Sequence, residues 1–386
     1  MTPSLVIAGL ALGIWLYLIL FRGGFWLARE RDQDEAASPP RSDWPNLTAV
    51  IPARDEAEML PLSVGSLLAQ DYAGKLSIVI VDDGSSDGTA KVANVISADA
   101  TRDVRLISGT PPPPGWAGKV WAMQQGIAHA EAANYTADYL LLTDADIEYA
   151  PSAVTRLVGR ATVSRTVLSS LMVKLNCESL SERALIPAFV FFFQMLYPFA
   201  WVNWRGASTA AAAGGSMLVE RLALARAGGI ASISSALIDD CALAKLMKRE
   251  GPIWLGLSRD VRSLRSYPHI GDLRRMIARS AYSQLRYSPL LLAVTISGMA
   301  LTFFAPPVLA LLGGYPANAV AAGAWALMTL AYLPILSFYG LSLVWAPALP
   351  LIALAYLAFT LDSAFQHWRG RGGVWKGRSQ ASLAKR

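Results

Sequence analysis

Asp144 and Asp146 stand one residue apart where the apolar run Leu140-Leu-Leu-Thr143 ends. Residues i and i+2 of a strand share a face, so a buried strand here would send both carboxylates the same way from its carboxyl end. Ligands of open α/β sheets bind at that end. Two carboxylates crowded there repel and lose hydration unless a cation lies between them. A hard divalent ion, ligated by oxygen and shared with a phosphate, suits the pair. A turn or a helix cap is the plain alternative.

Four more stretches could serve a ligand. Pro52-Ala53-Arg54-Asp55-Glu56 follows a short apolar run, and its backbone with Arg54 and Glu56 could hold a nucleotide's base and ribose. In Asp82-Asp-Gly-Ser-Ser-Asp-Gly-Thr89 the glycines permit a tight turn beside a ligand, and Asp83 can accept a hydrogen bond from a base imide or a ribose. This is neither the G-x-G-x-x-G dinucleotide fingerprint nor a Walker A loop. An EF-hand reading fails because Ala93 stands where the Glu at the twelfth loop position belongs. Lys119 closes Gly115-Trp-Ala-Gly-Lys119 ahead of a helical stretch, where its charge and free N–H groups could meet a phosphate. Asp239 and Asp240 open an apolar-periodic helix, where carboxylates act as caps. Crowded by other carboxylates, one of them would instead gain the raised pKa of a general base. Asp240 is favoured for that role, with Asp239 as its rival. His129, His269 and His367 share no metal-ligand spacing, and no Ser-His-Asp arrangement is present.

The elements that must position these residues are legible as alternation. Leu47–Ile51, Leu76–Val81, Val104–Ile107 and Tyr139–Leu142 read as short buried strands, and Val167–Leu175 as a further one. Helical spacing runs to about Gln70, from Thr89 to about Ala98, and from Lys119 to Ala133. Strands and helices in this rhythm predict parallel βαβ units and an α/β domain.

The flanks are of another kind. The chain is 54% hydrophobic and only 16% charged, low for a soluble protein, with a formal net charge of +6. Its basic residues border apolar segments instead of forming a nucleic-acid stripe, as expected beside an anionic membrane surface. Residues 3–21 carry no charge, enough for a span, and no signal-cleavage pattern follows, so 1–22 reads as an anchor and 23–44 as a linker. Arg22, Arg29 and Arg31 place the domain at 45–285 in the cytoplasm by the positive-inside rule. Residues 289–366 predict about three further spans, and the basic tail 367–386 again looks cytoplasmic, one crossing out of step with that number. The apolar stretch at about 184–204 reads as an interfacial helix, with Tyr197, Trp201 and Trp204 at headgroup depth, in preference to a span. Arg274, Arg275, Arg279 and Arg286 form a basic flank from which one or two could meet a leaving diphosphate. Cys177 and Cys241 are too few for a disulfide framework.

Taken together, Ile51-Pro-Ala-Arg-Asp-Glu56, Val81 to Thr89, Gly118-Lys119, Thr143-Asp-Ala-Asp146, Gly214-Gly215-Ser216 and Asp239-Asp240 resemble the motifs of membrane-bound family 2 glycosyltransferases of the GT-A fold. Within that group the chain is most similar to the bacterial hopanoid-biosynthesis-associated glycosyltransferases. The resemblance implies a Rossmann-like, mostly parallel α/β domain with N- and C-terminal transmembrane helices, in the bacterial inner membrane. It implies inverting transfer from a UDP-sugar to a membrane lipid, possessing an Mg²⁺ or Mn²⁺ site at Asp146 and Asp144. By match, Pro52, Ala53, Arg54, Glu56, Asp83, Lys119, Asp144 and Arg286 would bind the nucleotide sugar, and Gly214, Gly215 and Ser216 would lie in the acceptor region. Asp240 would be the base, since relatives carry Glu-Asp where Asp239-Asp240 stands. Two departures matter: Ser283-Gln-Leu-Arg286-Tyr287 replaces the Gln/Arg-x-x-Arg-Trp of polysaccharide synthases, arguing against a long polysaccharide product, and Asp55 replaces a common Asn. Two other functions compete with this reading. One is a polyprenyl-phosphate sugar transferase. The other is a transport or scaffold protein with a degenerate sugar-nucleotide domain, which four intact acidic or glycine-rich strand ends weigh against.

Overall fold

A computed structural model describes residues 2–33, 43–133 and 137–370, and the backbone of 374–375 and 378–379. The centre of the predicted linker and the side chains of the basic tail from Arg371 onward lie outside the described residues. The chain divides into a sheet-bearing unit, Glu30–Asn176 with Trp201–Arg265, and a helical unit, Met1–Arg29 with Cys177–Ala200 and 266–374.

In the sheet-bearing unit the strands are β1 (Leu47–Ala53), β2 (Leu76–Asp82), β3 (Val104–Ser108), β4 (Tyr139–Thr143), β5 (Ile147–Tyr149), β6 (Leu168–Lys174), β7 (Ser216–Glu220) and β8 (Ile253–Ser263), in the order β3-β2-β1-β4-β7-β6-β8-β5. β1, β2, β3 and β4 run parallel to their neighbours among themselves, whereas β7 inserts antiparallel between β4 and β6. Every residue of β1 and β2 is buried, so both faces are covered and the sequence shows apolar runs without alternation. Ile51, Ile78, Ile80 and Leu141 are fully buried in the core beneath these strands, each contributing roughly 2 kcal/mol of burial. The chain moves outward from β1 to β2 and β3, then crosses back to place β4 on the other side of β1. That reversal is the switch point at which a crevice opens beyond the strand ends.

The expected shared strand face of Asp144 and Asp146 is corrected here. β4 stops at Thr143, and Asp144-Ala-Asp146 forms a turn into β5, which pairs antiparallel with β8 at the far edge of the sheet. The two carboxylates therefore leave a turn, not a strand.

Among the described residues the helical unit contains four helices long and apolar enough to cross a membrane, within Pro3–Phe21, Pro289–Leu312, Ala317–Tyr339 and Leu343–Trp368. The second includes a wide turn at Ala300–Phe304 followed by Pro306 and Pro307. Neither proline can donate to the Thr302 carbonyl, whether the local bonding is α or π. The indole N–H of buried Trp15 donates to that carbonyl at 2.8 Å, satisfying it.

The apolar 184–204 stretch is not one helix. A helix runs over Leu180–Leu196, started by a capping box between Ser179 and Glu182, and a short one follows at Phe199–Asn203. Pro198 between them lacks the N–H needed to continue. Phe191 packs on Phe25 and Tyr332, and Phe192 on Phe303 and Tyr356, so the longer helix has a face inside the helical unit, while Trp201 and Trp204 belong to the sheet-bearing unit.

Candidate active site

The loops after β1 and β2 are tied to each other. Arg54 donates to the Asp83 carbonyl at 2.7 Å and lies 3.3 Å from its carboxylate, which is 2% exposed. The Asp83 N–H donates to the Ala53 carbonyl at 2.8 Å, and Pro52 and Ala53 are themselves buried in the last positions of β1. Asp55 takes a left-handed conformation (φ 51°), which Asn and Asp tolerate better than most residues. Its carboxylate accepts from the Ser86 N–H at 2.8 Å, and its own N–H donates to the Ser85 hydroxyl. Asp87 accepts from the N–H groups of Thr89 and Ala57, while the Thr89 hydroxyl accepts from the Glu56 N–H. Gly88, at φ 98°, makes the turn into the helix Thr89–Asp99. These contacts hold Arg54, Glu56 and Asp83 together beyond the carboxyl ends of β1 and β2.

A second group gathers around Lys119, in the first turn of the helix Gly118–Ala132. Its ammonium lies 2.7 Å from Asp144 Oδ1 and 3.4 Å from Asp239 Oδ2. Asp239 and Asp240 begin the helix Asp239–Met247, where the positive end of the helix dipole favours carboxylates. Asp240 accepts from the Gly214 N–H at 2.9 Å and from the Cys241 N–H at 2.7 Å. A side chain at position 214 would meet Lys119 Nζ at 3.3 Å and Asp240 at 3.4 Å, so glycine keeps the backbone close to both. Gly215 offers its carbonyl to the Thr143 hydroxyl at 2.8 Å, and Ser216 is fully buried in β7. Of the three residues, Gly214 is the one that bonds to the Asp240 carboxylate.

Burial raises the Asp240 carboxyl, and the neighbouring Asp239 adds to the effect, bringing it to about 6 against the attraction of Lys119. Burial alone would lower the Lys119 ammonium, but Asp144, Asp239 and Asp240 outweigh it and hold Lys119 above its ordinary value, firmly protonated. Burial and Asp146 push Asp144 upward, while Lys119 opposes them.

Asp146 faces different company. Its Oδ2 accepts from the Ser263 hydroxyl and from Arg265 Nε, both at 3.1 Å, and Arg265 also reaches Glu56 Oε1 at 2.5 Å. Sequence reasoning missed Arg265 and Ser263. β8 was not recognised as a strand, and only its return past β5 carries these two residues to the Asp144–Asp146 turn. Arg286 belongs to the helical unit, exposed and left-handed at φ 52°. Tyr287 beside it stacks on His367 with ring centroids 4.2 Å apart.

Among the described residues no group of three or more His, Cys, Asp or Glu side chains is arranged to hold a metal unaided. The donor set nevertheless fits a hard divalent ion shared with a phosphate, for which one or two carboxylates suffice. Asp144, Asp146, Asp239, Asp240 and Glu56 outnumber Lys119 and Arg265, and the buried Asp239 Oδ2 accepts no hydrogen bond. This crowding of negative charge favours a further cation.

Residues 48–226 match the family described as glycosyl transferase family 2, and the sheet-bearing unit has the GT-A fold. An N-acetylglucosaminyltransferase of Mesorhizobium japonicum is 32% identical over 124 residues, 32% of this chain and 27% of that protein. A 4,4'-diaponeurosporenoate glycosyltransferase of Staphylococcus aureus is 30% identical over 104 residues, 27% of this chain and 24% of that protein. The chain thus spans about a quarter of the length of these curated relatives. Among solved structures, a mannosyltransferase from Pyrobaculum calidifontis, in complex with GDP-Man and Mn²⁺, superposes with a TM-score of 0.56 at 20% identity, covering 97% of this chain and 100% of that one. That likeness is one of fold.

Proposed function

We propose that this chain is an inverting glycosyltransferase that moves a sugar from a UDP-sugar to the hydroxyl of a membrane lipid, in hopanoid-related lipid synthesis. The observation that carries the reading is Asp240. Its carboxylate is oriented by two backbone N–H groups, raised to about 6 by burial and Asp239, and set beside the lysine that reaches the Asp144 carboxylate. A base whose pKa approaches working pH combines availability with proton affinity better than an ordinary carboxylate. Asp240 would take the proton from the acceptor hydroxyl. The freed oxygen would bond to the anomeric carbon from the face opposite the diphosphate, whose bond to that carbon breaks as UDP leaves.

The loops after β1 and β2 offer Arg54, Glu56 and Asp83 to the nucleoside, and Lys119 offers positive charge to the diphosphate. Asp146 and Asp144 would hold Mg²⁺ or Mn²⁺, which when bound supplies Lewis-acid neutralisation of the departing diphosphate. The four apolar helices support a membrane setting, and Arg22, Arg29 and Arg31 after the first of them support a cytoplasmic catalytic domain. A relative named for an apolar acceptor, 4,4'-diaponeurosporenoate, supports a lipid substrate. The order of parts, an apolar anchor before the domain and apolar helices after it, supports the hopanoid class.

The test is transfer in detergent or nanodiscs. Asp240→Asn protein is expected to bind UDP-sugar and lose turnover, and normal turnover refutes the base assignment. EDTA is expected to stop transfer and Mn²⁺ to restore it. Transfer that persists in EDTA refutes the metal assignment.

A further inference from the structure

The two carboxylates assigned to the metal are each already matched by a side-chain cation. Lys119 Nζ sits 2.7 Å from Asp144 Oδ1, and Arg265 Nε sits 3.1 Å from Asp146 Oδ2. Each of these cations also has a second carboxylate within reach. Lys119 lies 3.4 Å from Asp239 Oδ2, a buried oxygen that accepts no hydrogen bond, and Arg265 already contacts Glu56 Oε1 at 2.5 Å through a different nitrogen. Ser263, which donates to the same Asp146 oxygen as Arg265, keeps that carboxylate oriented without adding charge.

Resting on the function proposed above, we propose that Lys119 and Arg265 are stand-in cations that make metal binding conditional on the nucleotide diphosphate. The site is net negative, yet a lone divalent ion must displace Lys119 or Arg265 from the two carboxylates and finds too few protein oxygens to replace its water. A diphosphate changes both terms: it supplies phosphate oxygens to the ion and new negative charge for the lysine. Lys119 then moves toward Asp239 and the phosphates, and Arg265 withdraws onto Glu56, so that each cation gives up one carboxylate and keeps another. The metal and the nucleotide enter as a unit, and the carboxylate pair stays neutralised between turnovers. Arg265 thereby becomes a positioning residue that acts through Asp146.

The experiment is a Mn²⁺ titration followed by electron paramagnetic resonance, on the full-length protein in nanodiscs, with and without UDP. Wild-type protein is expected to bind Mn²⁺ at least about tenfold more tightly with UDP than alone. Arg265→Gln removes one unit charge from the partly buried site and is expected to tighten Mn²⁺ alone by about threefold to tenfold, a screened Coulomb effect. Lys119→Gln is expected to do the same, whereas Arg265→Lys, which keeps the charge, leaves the Mn²⁺-only affinity near wild type. Thermal unfolding of each variant confirms the folded state before titration, and either glutamine variant alone suffices for the comparison. Wild-type binding of Mn²⁺ equally tight with and without UDP overturns the inference, as does a folded glutamine variant with unchanged affinity for Mn²⁺ alone. Absence of Mn²⁺ binding under both conditions overturns the metal reading itself, a distinct result.

Discussion

Replacing Asp240 by Asn should make the protein more stable while removing its proposed activity. Asp240 is raised from an ordinary 3.8 to about 6 by burial and by Asp239. Keeping it ionised at pH 7 therefore costs the folded state up to about 3 kcal/mol, at about 1.4 kcal/mol per pH unit. Asn carries no charge at any pH and escapes that cost. It has one carbonyl oxygen where the carboxylate used two, for the N–H groups of Gly214 and Cys241, so one hydrogen bond of about 1 kcal/mol is lost. The net expectation is a gain of about 1–2 kcal/mol at pH 7, or about 2–6 °C in Tm for a unit of this size. Because the folded pKa lies above the unfolded one, the cost is fully present above about pH 6 and fades as pH falls toward 3.8. The advantage of Asp240→Asn should accordingly shrink between pH 7 and pH 5. Thermal unfolding of the two purified proteins at both pH values is the assay. A variant less stable than wild type at pH 7, or a gain that does not change with pH, refutes the reasoning from burial.

Three further outcomes follow from the same geometry. Transfer rate, measured as kcat/KM against pH, should fall on the acid side through about pH 6 as Asp240 takes up a proton, and Asp240→Asn should abolish that limb along with turnover. Arg54→Ala removes the guanidinium from the buried Asp83 carboxylate, and should raise the donor KM by about tenfold or more in steady-state assays, an effect of the size expected when a hydrogen bond to a charged group is lost. Gly126→Ala should destabilise the fold by about 1–3 kcal/mol in unfolding experiments, outweighing the helix propensity gained. A methyl there would stand 2.5 Å from Val50 Cγ1 and 2.9 Å from Val81 Cγ2, both on buried strands without room to shift.

β1, β2 and β4 were legible because parallel strands covered on both faces are largely apolar, and each ends in residues unsuited to a core, whereas β3, at the sheet edge, was legible from Val104, Leu106 and Ile107. The helix starts at Thr89, Lys119 and Asp239 were legible for a related reason, since glycine and acidic residues mark where a chain turns. β7 and β8 were not read as strands. Ile253–Ser263 mixes Trp254, Gly256, Arg259 and Asp260 with aliphatic residues, and its ladder with β6 depends on partners far away in sequence. Arg265 was hidden for the same reason: nothing near it in sequence signals that a turn formed by residues 144–146 lies beside it. The Asp-x-Asp pair was found by type and spacing, but its strand-face geometry was not, because β4 ends one residue before Asp144. The division of 184–204 at Pro198 was visible in principle, and overall hydrophobicity masked it.

The most direct test of the account is one measurement: mass spectrometry of lipids from nanodiscs holding the wild-type protein, UDP-sugars, Mn²⁺ and hydroxyl-bearing hopanoids, with Asp240→Asn protein run alongside. Expected is a lipid heavier by one sugar residue from the wild type, and none from the variant despite retained UDP-sugar binding. Equal product from both proteins, or no glycosylated lipid from the wild type, contradicts it.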